Sequence, residues 1–293
     1  MEGSVQMKHC LLVSDLHGSK RRYTALFAEI EKRPPRALFL AGDLLPHCMA
    51  NPNDSSWRYS DFLSDILSPS ISDLRTRLGD RFPKIFAIMG NDDPRSYEPS
   101  IQEMDRRGLL AYVHARRVDM EGYAIYGYSY VPPTPFRLKD WERYDVSRYV
   151  DPGCVSPESG SRSVGVSAEE ARYSTIQKDM EALSRTGNMG RTVLVTHSPP
   201  YETNLDRAAL DGRSVDHVPL DVHVGSIALR RFIEEHQPHL TLHGHVHESA
   251  RLTGSFIDRI GRTTMLSAAH DGPELCVVRF SLEEPEEAKR ELI

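Results

Sequence analysis

The stretch LTLHGHVHES, residues 240–249, sets three histidines, His243, His245 and His247, at alternate positions after a short apolar run and around one glycine. Residues two apart in a strand share a face, so the three imidazoles can converge. Two readings are open at this point. The stretch is a core strand that carries imidazoles, or it is one side of a metal site. The choice depends on matching ligands elsewhere in the chain.

Such ligands recur, each behind an apolar run. HCLLVSDLHG (9–18) reads as a strand over His9–Ser14 that ends in Asp15 and His17. RALFLAGDLL (36–45) ends in Gly42-Asp43, KIFAIMGNDDP (84–94) in Gly90-Asn91-Asp92, and RTVLVTHSPP (191–200) in His197. Helical periods lie between them. Tyr23, Leu26, Phe27 and Ile30 recur at helical spacing in 19–33. Residues 60–80 read as a helix kinked near Pro69. Further helices are expected at about Ser167–Ser184 and over 226–237, the latter capped by Ser226. Residues 108–130 read as short strands turning at Glu121-Gly122, and 262–269 and 274–282 as the last strands. The region Val131–Val166 holds Pro132, Pro133, Pro135, Pro152 and Pro157 without a period, and is expected as a long loop or lid. Strands alternating with helices imply a layered α/β fold.

In open α/β sheets, functional groups gather at the carboxyl ends of the strands. The ligand-bearing pieces should therefore meet along one rim. Carboxylate and amide oxygens together with imidazole nitrogens suit iron, manganese and zinc. Seven such side chains exceed the need of one ion. They fit two ions that share one carboxylate, at the separation of about 3.5–4 Å usual for two-metal hydrolytic sites. The glycines beside Asp43, Asn91 and His245 are expected to let the backbone turn tightly and approach closely.

The bulk properties narrow the field. A chain of 293 residues has room for one large domain or two ordinary ones. Its 39% hydrophobic and 27% charged residues are ordinary for a globular protein. No apolar run approaches a bilayer span, and the opening MEGSVQMKHCLLVSD lacks a signal-peptide layout, so a cytoplasmic location without membrane contact is expected. Cys10, Cys48, Cys154 and Cys276 form no CxxC pair, which argues against a disulfide framework or a thiolate zinc site. A net charge of −6 gives no nucleic-acid footprint.

The order DxH, GD, GN[D/H], H, GHxH resembles the calcineurin-like metallophosphoesterase superfamily. It is carried by Asp15-Leu16-His17, Gly42-Asp43, Gly90-Asn91-Asp92-Asp93, Thr196-His197 and Gly244-His245-Val246-His247, and runs from residue 9 to about 270. The resemblance implies an α/β fold, a four-layer α/β/β/α sandwich with two mixed sheets. It also implies one domain over 1–293, with the lid-like insertion at about 131–166. By the same resemblance Asp15, His17 and His247 hold one metal, Asn91, His197 and His245 hold a second, and Asp43 bridges both. Manganese or iron is favoured, with zinc, nickel or cobalt as alternatives. His243 falls outside the pattern and is expected as a polar residue on its strand.

Two divalent ions lower the pKa of a bridging water, so the expected reaction is in-line attack of hydroxide on a phosphoester. The metals and nearby donors then stabilise charge on the phosphoryl oxygens. Asn91 contributes a neutral oxygen that moderates the site's negative charge. One position departs from the pattern. The family's third motif is usually GNH followed by an acid, and its histidine is thought to assist the leaving group; here Asp92 stands there, with Asp93 at the acidic position. An aspartate beside two cations is a poor acid near pH 7. Either another group assists, with His223 or His217 in the expected role, or the leaving group needs little help and Asp92 binds substrate through water. Gly42-Asp43-Leu44-Leu45-Pro46-His47 has no arginine in register, which disfavours the Ser/Thr phosphatase branch. Arg137, Lys139, Arg143 and Arg148, among Phe136, Trp141 and Tyr144, are candidate phosphate and base contacts in the loop. A phosphodiesterase for small organic substrates, nucleotides among them, is the expected function. The alternatives are a non-catalytic scaffold of the same fold and a DNA nuclease of the superfamily.

Overall fold

In β1 (Cys10–Val13) successive side chains point to opposite faces, and all four are buried. Leu11 and Val13 join a cluster with Tyr23, Leu26 and Ile30 of helix α1 (Lys20–Lys32). Cys10 and Leu12 join a second cluster with Phe39, Val193, Val195, Leu240 and Leu242. β2 (Ala37–Ala41) divides in the same way, with Leu38 and Leu40 to one side and Ala37, Phe39 and Ala41 to the other. A strand covered on both faces reads as a continuous apolar run, which is why CLLV, ALFLA and TVLVT show no alternation.

The computed structural model describes residues 9–47, 61–184 and 189–293. Residues 1–8, Cys48 and Ser60 lie outside that range. The first sheet continues through β3 (Lys84–Ile88) and β4 (Ala111–Tyr112), all parallel to β1 and β2. The chain then crosses over. β5 (Arg117–Met120) and β6 (Tyr123–Tyr128) form a hairpin of the second sheet, turning at Glu121 and Gly122, both with positive φ. β7 (Thr192–Thr196) pairs parallel to β6. β8 (Ser214–Val215) and β9 (Val218–Pro219) make a separate small hairpin. β10 (Leu240–His243) pairs parallel to β7, β11 (Ile257–Ile260) forms an antiparallel edge, and β12 (Thr263–Ser267) pairs parallel to β10. β13 (Cys276–Phe280) and β14 (Lys289–Leu292) return antiparallel to the first sheet. The orders are β14-β13-β1-β2-β3-β4 and β11-β12-β10-β7-β6-β5. Two mixed six-stranded sheets with helices outside them make the four-layer α/β/β/α sandwich. Its inner seam contains Phe39 stacked on Phe86, centroids 5.2 Å apart.

The remaining helices mostly follow the expected spans. α2 (Ser68–Leu78) runs on from a π-helical turn over Leu63–Leu67, and Pro69, which has no N–H to give to that turn, sits where the two join, at the place expected for a kink. α3 is Glu98–Arg106. The single helix expected over 167–184 is two, α4 (Ala168–Tyr173) and α5 (Ile176–Ser184). Ser174 between them is extended, Ile176 N–H donates to Tyr144 C=O at 2.8 Å, and Thr175 Oγ1 accepts from Lys178 N–H. A contact distant in sequence therefore sets the break. α6 (Ile227–His236) is capped by Ser226, as expected, and α7 is Ser249–Thr253. Among the described residues no helix is long and apolar enough to cross a membrane.

Residues 131–166 hold no helix or extended strand, yet they are packed. Trp141 is wholly buried against His114 and Tyr130, with ring centroids at 4.9 and 5.3 Å. Lys139 and Glu142, both fully buried, pair at 2.5 Å, and Glu142 also accepts from Thr134 N–H and Oγ1–H. Burial pushes the Glu142 carboxyl up to about 7 despite Lys139. Arg143 bonds Asp179 and Tyr130, and Arg148 bonds Glu158. Three of the four cations assigned above to substrate phosphate are thus paired within the protein. We expect Trp141→Ala to lower unfolding free energy by about 3–5 kcal/mol, the range for removing a core aromatic. Denaturant titration checks this; a loss below about 1 kcal/mol would make the loop a surface cover.

Candidate metal centre

The two sheets bring different chemistry to one rim. Asp15 lies two residues beyond β1, Asp43 two beyond β2 and Asn91 three beyond β3, all in the first sheet. His197 follows β7 directly, and His245 and His247 occupy the turn after β10, in the second sheet. His17, among the expected ligands, is the imidazole that the first sheet contributes. Asp15, Asp43, Asn91 and His197 are buried. His247 Nε2 lies 3.2 Å from Asp15 Oδ1 and 3.3 Å from His17 Nε2. His197 Nε2 lies 3.2 Å from Asp43 Oδ2 and 4.0 Å from Asp15 Oδ1. The His245 ring centroid is 5.1 Å from that of His197. Among the described residues three groups, Asp15-His17-His247, Asp15-Asp43-His197 and His17-His47-Asp92, have donor atoms close enough to share an ion.

The backbone is bent to allow this. Asp15, His17, Asp43 and His245 all sit at positive φ, 55°, 45°, 53° and 75°. Non-glycine residues rarely adopt that region. Gly42, beside Asp43, turns as expected, at φ 94°, while beside Gly90 and Gly244 no turn falls on the glycine, and His245 bends itself. Gly90 and Gly244 serve close approach instead. A Cβ on Gly90 would stand 2.5 Å from Asp43 N and 2.7 Å from His197 Nε2; on Gly244 it would stand 2.6 Å from Ser14 Cβ. The loops are joined by Asp15 N–H to Gly42 C=O, His17 N–H to Asp43 C=O and Gly244 N–H to His197 C=O, at 2.8–3.0 Å. Asp93, fully buried, accepts from the N–H groups of Leu44, Leu45 and Gly90 and so clamps the second and third motif loops together. Burial, aided by the nearby Asp43 charge, raises its carboxyl to about 7.

The electrostatics demand positive charge. Burial alone would raise Asp15, yet His247, His197 and His17 hold it well below the usual carboxylate range. Asp43 is lowered likewise, burial being outweighed by His197. Burial opposes charging the His197 ring, but the Asp43 carboxylate overrides it and raises the ring to about 10. His245 is lowered to about 3 by burial and by the His197 charge. His197 Nδ1–H donates to Ala41 C=O at 2.7 Å, which aims Nε2 at the cluster. His197 Nε2 faces the Asp43 carboxylate at 3.2 Å, and among the described residues Asn91 Oδ1 is buried without a hydrogen bond. Leaving a buried polar atom so costs about 1–3 kcal/mol. Oxygen and imidazole donors converging on ionised carboxylates fit divalent first-row metals, whose binding would release the imidazolium protons.

The other sequence candidates fall as follows. His243 is fully buried, with Nδ1 3.1 Å from Ser198 C=O and Nε2 2.7 Å from Thr241 Oγ1, a polar strand residue as expected. His223 has Nδ1 at 2.8 Å from Asp206 Oδ1 and its ring edge-on to Tyr201. Asp92 touches the cluster through His17 Nδ1, at 3.2 Å. The sequence reading missed His47, which contacts Asp92 and stacks on His17, and Arg22, whose guanidinium ties Asp15 C=O to Gly272 C=O. The signal for His47 was its place four residues after Asp43, read only for the lack of an arginine.

A family model described as calcineurin-like phosphoesterase matches residues 9–249. The chain is 35% identical over 82 residues to the uncharacterized protein MJ1162 of Methanocaldococcus jannaschii, a match covering 27% of this chain and 32% of that protein. Among solved structures, one crystal structure is similar at a TM-score of 0.58 and 14% identity, over 97% of this chain and 98% of the other. TT1561 of Thermus thermophilus is similar at 0.52 and 13%, over 98% and 99%. At such identities these likenesses show the fold. The tight approach at Gly90 leads us to expect that Gly90→Ala costs about 1–3 kcal/mol of stability, as overpacking does, and lowers metal content. Denaturant titration and elemental analysis check both; unchanged values would mean the two loops can part freely.

Proposed function

The chain belongs to the calcineurin-like phosphoesterase family, and from that premise we propose that it hydrolyses a small phosphodiester at a two-metal site. Asp15, His17 and His247 would hold one ion, Asn91, His197 and His245 the other, and Asp43 would reach both. The observation that carries this reading is the buried Asn91 Oδ1, without a hydrogen bond, beside two ionised carboxylates. Divalent ions bound there would supply an acidified water and charge neutralisation for the phosphoryl oxygens. The rest falls to the chain. Ala41 C=O fixes the His197 tautomer. Asp92 N–H donates to Asp43 Oδ1 at 2.9 Å, and His245 N–H donates to Asp15 Oδ1 at 3.1 Å, so each carboxylate keeps one orientation.

Asp92 favours a diester over a monoester. Burial would raise its carboxyl, but His17 and His47 outweigh this and keep it ionised. An anion at that place repels a monoester dianion more than a diester monoanion. The same ionisation leaves Asp92 without a proton to give.

Bis(4-nitrophenyl) phosphate and 4-nitrophenyl phosphate, compared in manganese, test the proposal. We expect turnover of the diester to exceed that of the monoester. Asp43→Asn should lower it by about 10²-fold or more, as removal of a group organising transition-state charge does. No turnover of either ester with two metals bound would point to the scaffold reading.

A further inference from the structure

Asp92 occupies the position at which the resemblance places a histidine, and an imidazole from another loop lies against it. His47 follows Asp43 by four residues. Its Nδ1 makes an ion-pair contact with Asp92 Oδ2. The His47 ring stacks on that of His17, with centroids 4.3 Å apart and planes 12° apart. The same Asp92 oxygen lies 3.2 Å from His17 Nδ1, so one carboxylate holds two parallel imidazoles. The His47 side chain is 53% exposed, against 12% for His17 and 34% for His247. It is the imidazole of this group that opens furthest to solvent. With Nδ1 turned to Asp92, Nε2 points the other way, and among the described residues no hydrogen bond engages it.

We infer that His47 is a catalytic residue that meets the departing oxygen of the substrate, and that Asp92 is its positioning residue. This rests on the phosphoester hydrolysis proposed above. In that reaction the bond between phosphorus and the departing oxygen breaks, and its electron pair stays with that oxygen. Water contributes a hydroxyl to phosphorus and, in the balance, a proton to the leaving alcohol. With Nδ1–H on the Asp92 carboxylate, the Nε2–H that donates to the departing oxygen belongs to His47 as an imidazolium, which stabilises the charge collecting there and keeps both its protons until the proton from water arrives. The third motif then needs no histidine of its own: the imidazole comes from the second motif loop and its carboxylate partner from the third.

The test uses the manganese-loaded protein and two esters that differ in their leaving group, methyl 4-nitrophenyl phosphate and methyl phenyl phosphate. Nitrophenolate departs unaided; phenolate needs a donor. His47→Ala should lower kcat on the phenyl ester by about 10²-fold and on the nitrophenyl ester by less than about tenfold, with metal content unchanged. Asp92→Asn should show the same bias at smaller amplitude, which a purely structural role would not produce. Equal losses on both esters, or none, would overturn the inference while leaving the hydrolase reading intact. If wild-type protein with two metals bound turns over neither ester, the hydrolase reading is what has failed. The ¹⁵N resonance of His47 Nε2 then decides the rest, in zinc-loaded protein given inorganic phosphate. A shift at His47 with none at His217 supports His47 as the phosphate-facing imidazole; no shift overturns it.

Discussion

Two carboxylates, Asp15 and Asp43, sit almost fully buried where the two sheets meet, and the site is organised around keeping them ionised. An isolated buried carboxylate gives up its charge. Here the second sheet supplies His197 and His247 opposite the acids of the first, His17 joins them from the first, and the backbone N–H groups of His245 and Asp92 orient the oxygens. The helices and the inner apolar seam serve this meeting. The alternation of Leu11 and Val13 against Cys10 and Leu12 buries β1 on both faces, so that the chain emerges at a fixed height just before Asp15.

The left-handed backbone at four candidate ligands adds a second constraint. Such conformations cost of order 1 kcal/mol each outside glycine and persist where the surroundings over-determine them. The surroundings do so here. Asp93 clamps two loops, Arg22 ties a third, and Gly90 and Gly244 allow approaches that any side chain would block. The cluster is consequently stiff before any ligand arrives, which is what geometry-sensitive chemistry requires.

Much of this was legible in the sequence. Apolar runs ending in Asp, Asn or His marked the strands and their carboxyl ends, since parallel strands buried on both faces carry that signature. The convergence of Asp15, Asp43, His197 and His247 followed from the rule for strand ends. Features set by contacts remote in sequence were not legible. The break at Ser174 depends on Tyr144, and the pairing of His223 with Asp206 depends on the path of a long loop. Lys139 looked like a substrate contact because a lysine in a Pro-rich loop is ordinarily exposed, and only its burial against Glu142 shows otherwise. His47 went unread because nothing local to Pro46-His47 announces a partner in another loop.

The division of donors between the sheets has a mechanical consequence. An ion held jointly by Asp43 and His197, as proposed, would act as a rivet through the sandwich, resisting any slide of one sheet over the other. Occupancy and sheet registry become one thermodynamic variable. At a free ion concentration 100 times its dissociation constant, such a rivet adds about 2.7 kcal/mol to folding. The apolar seam, where Phe39 of the first sheet and Val195 of the second join one cluster, and the chemistry at the rim would then share a single lever: whatever shears the seam would also change the grip on the ion.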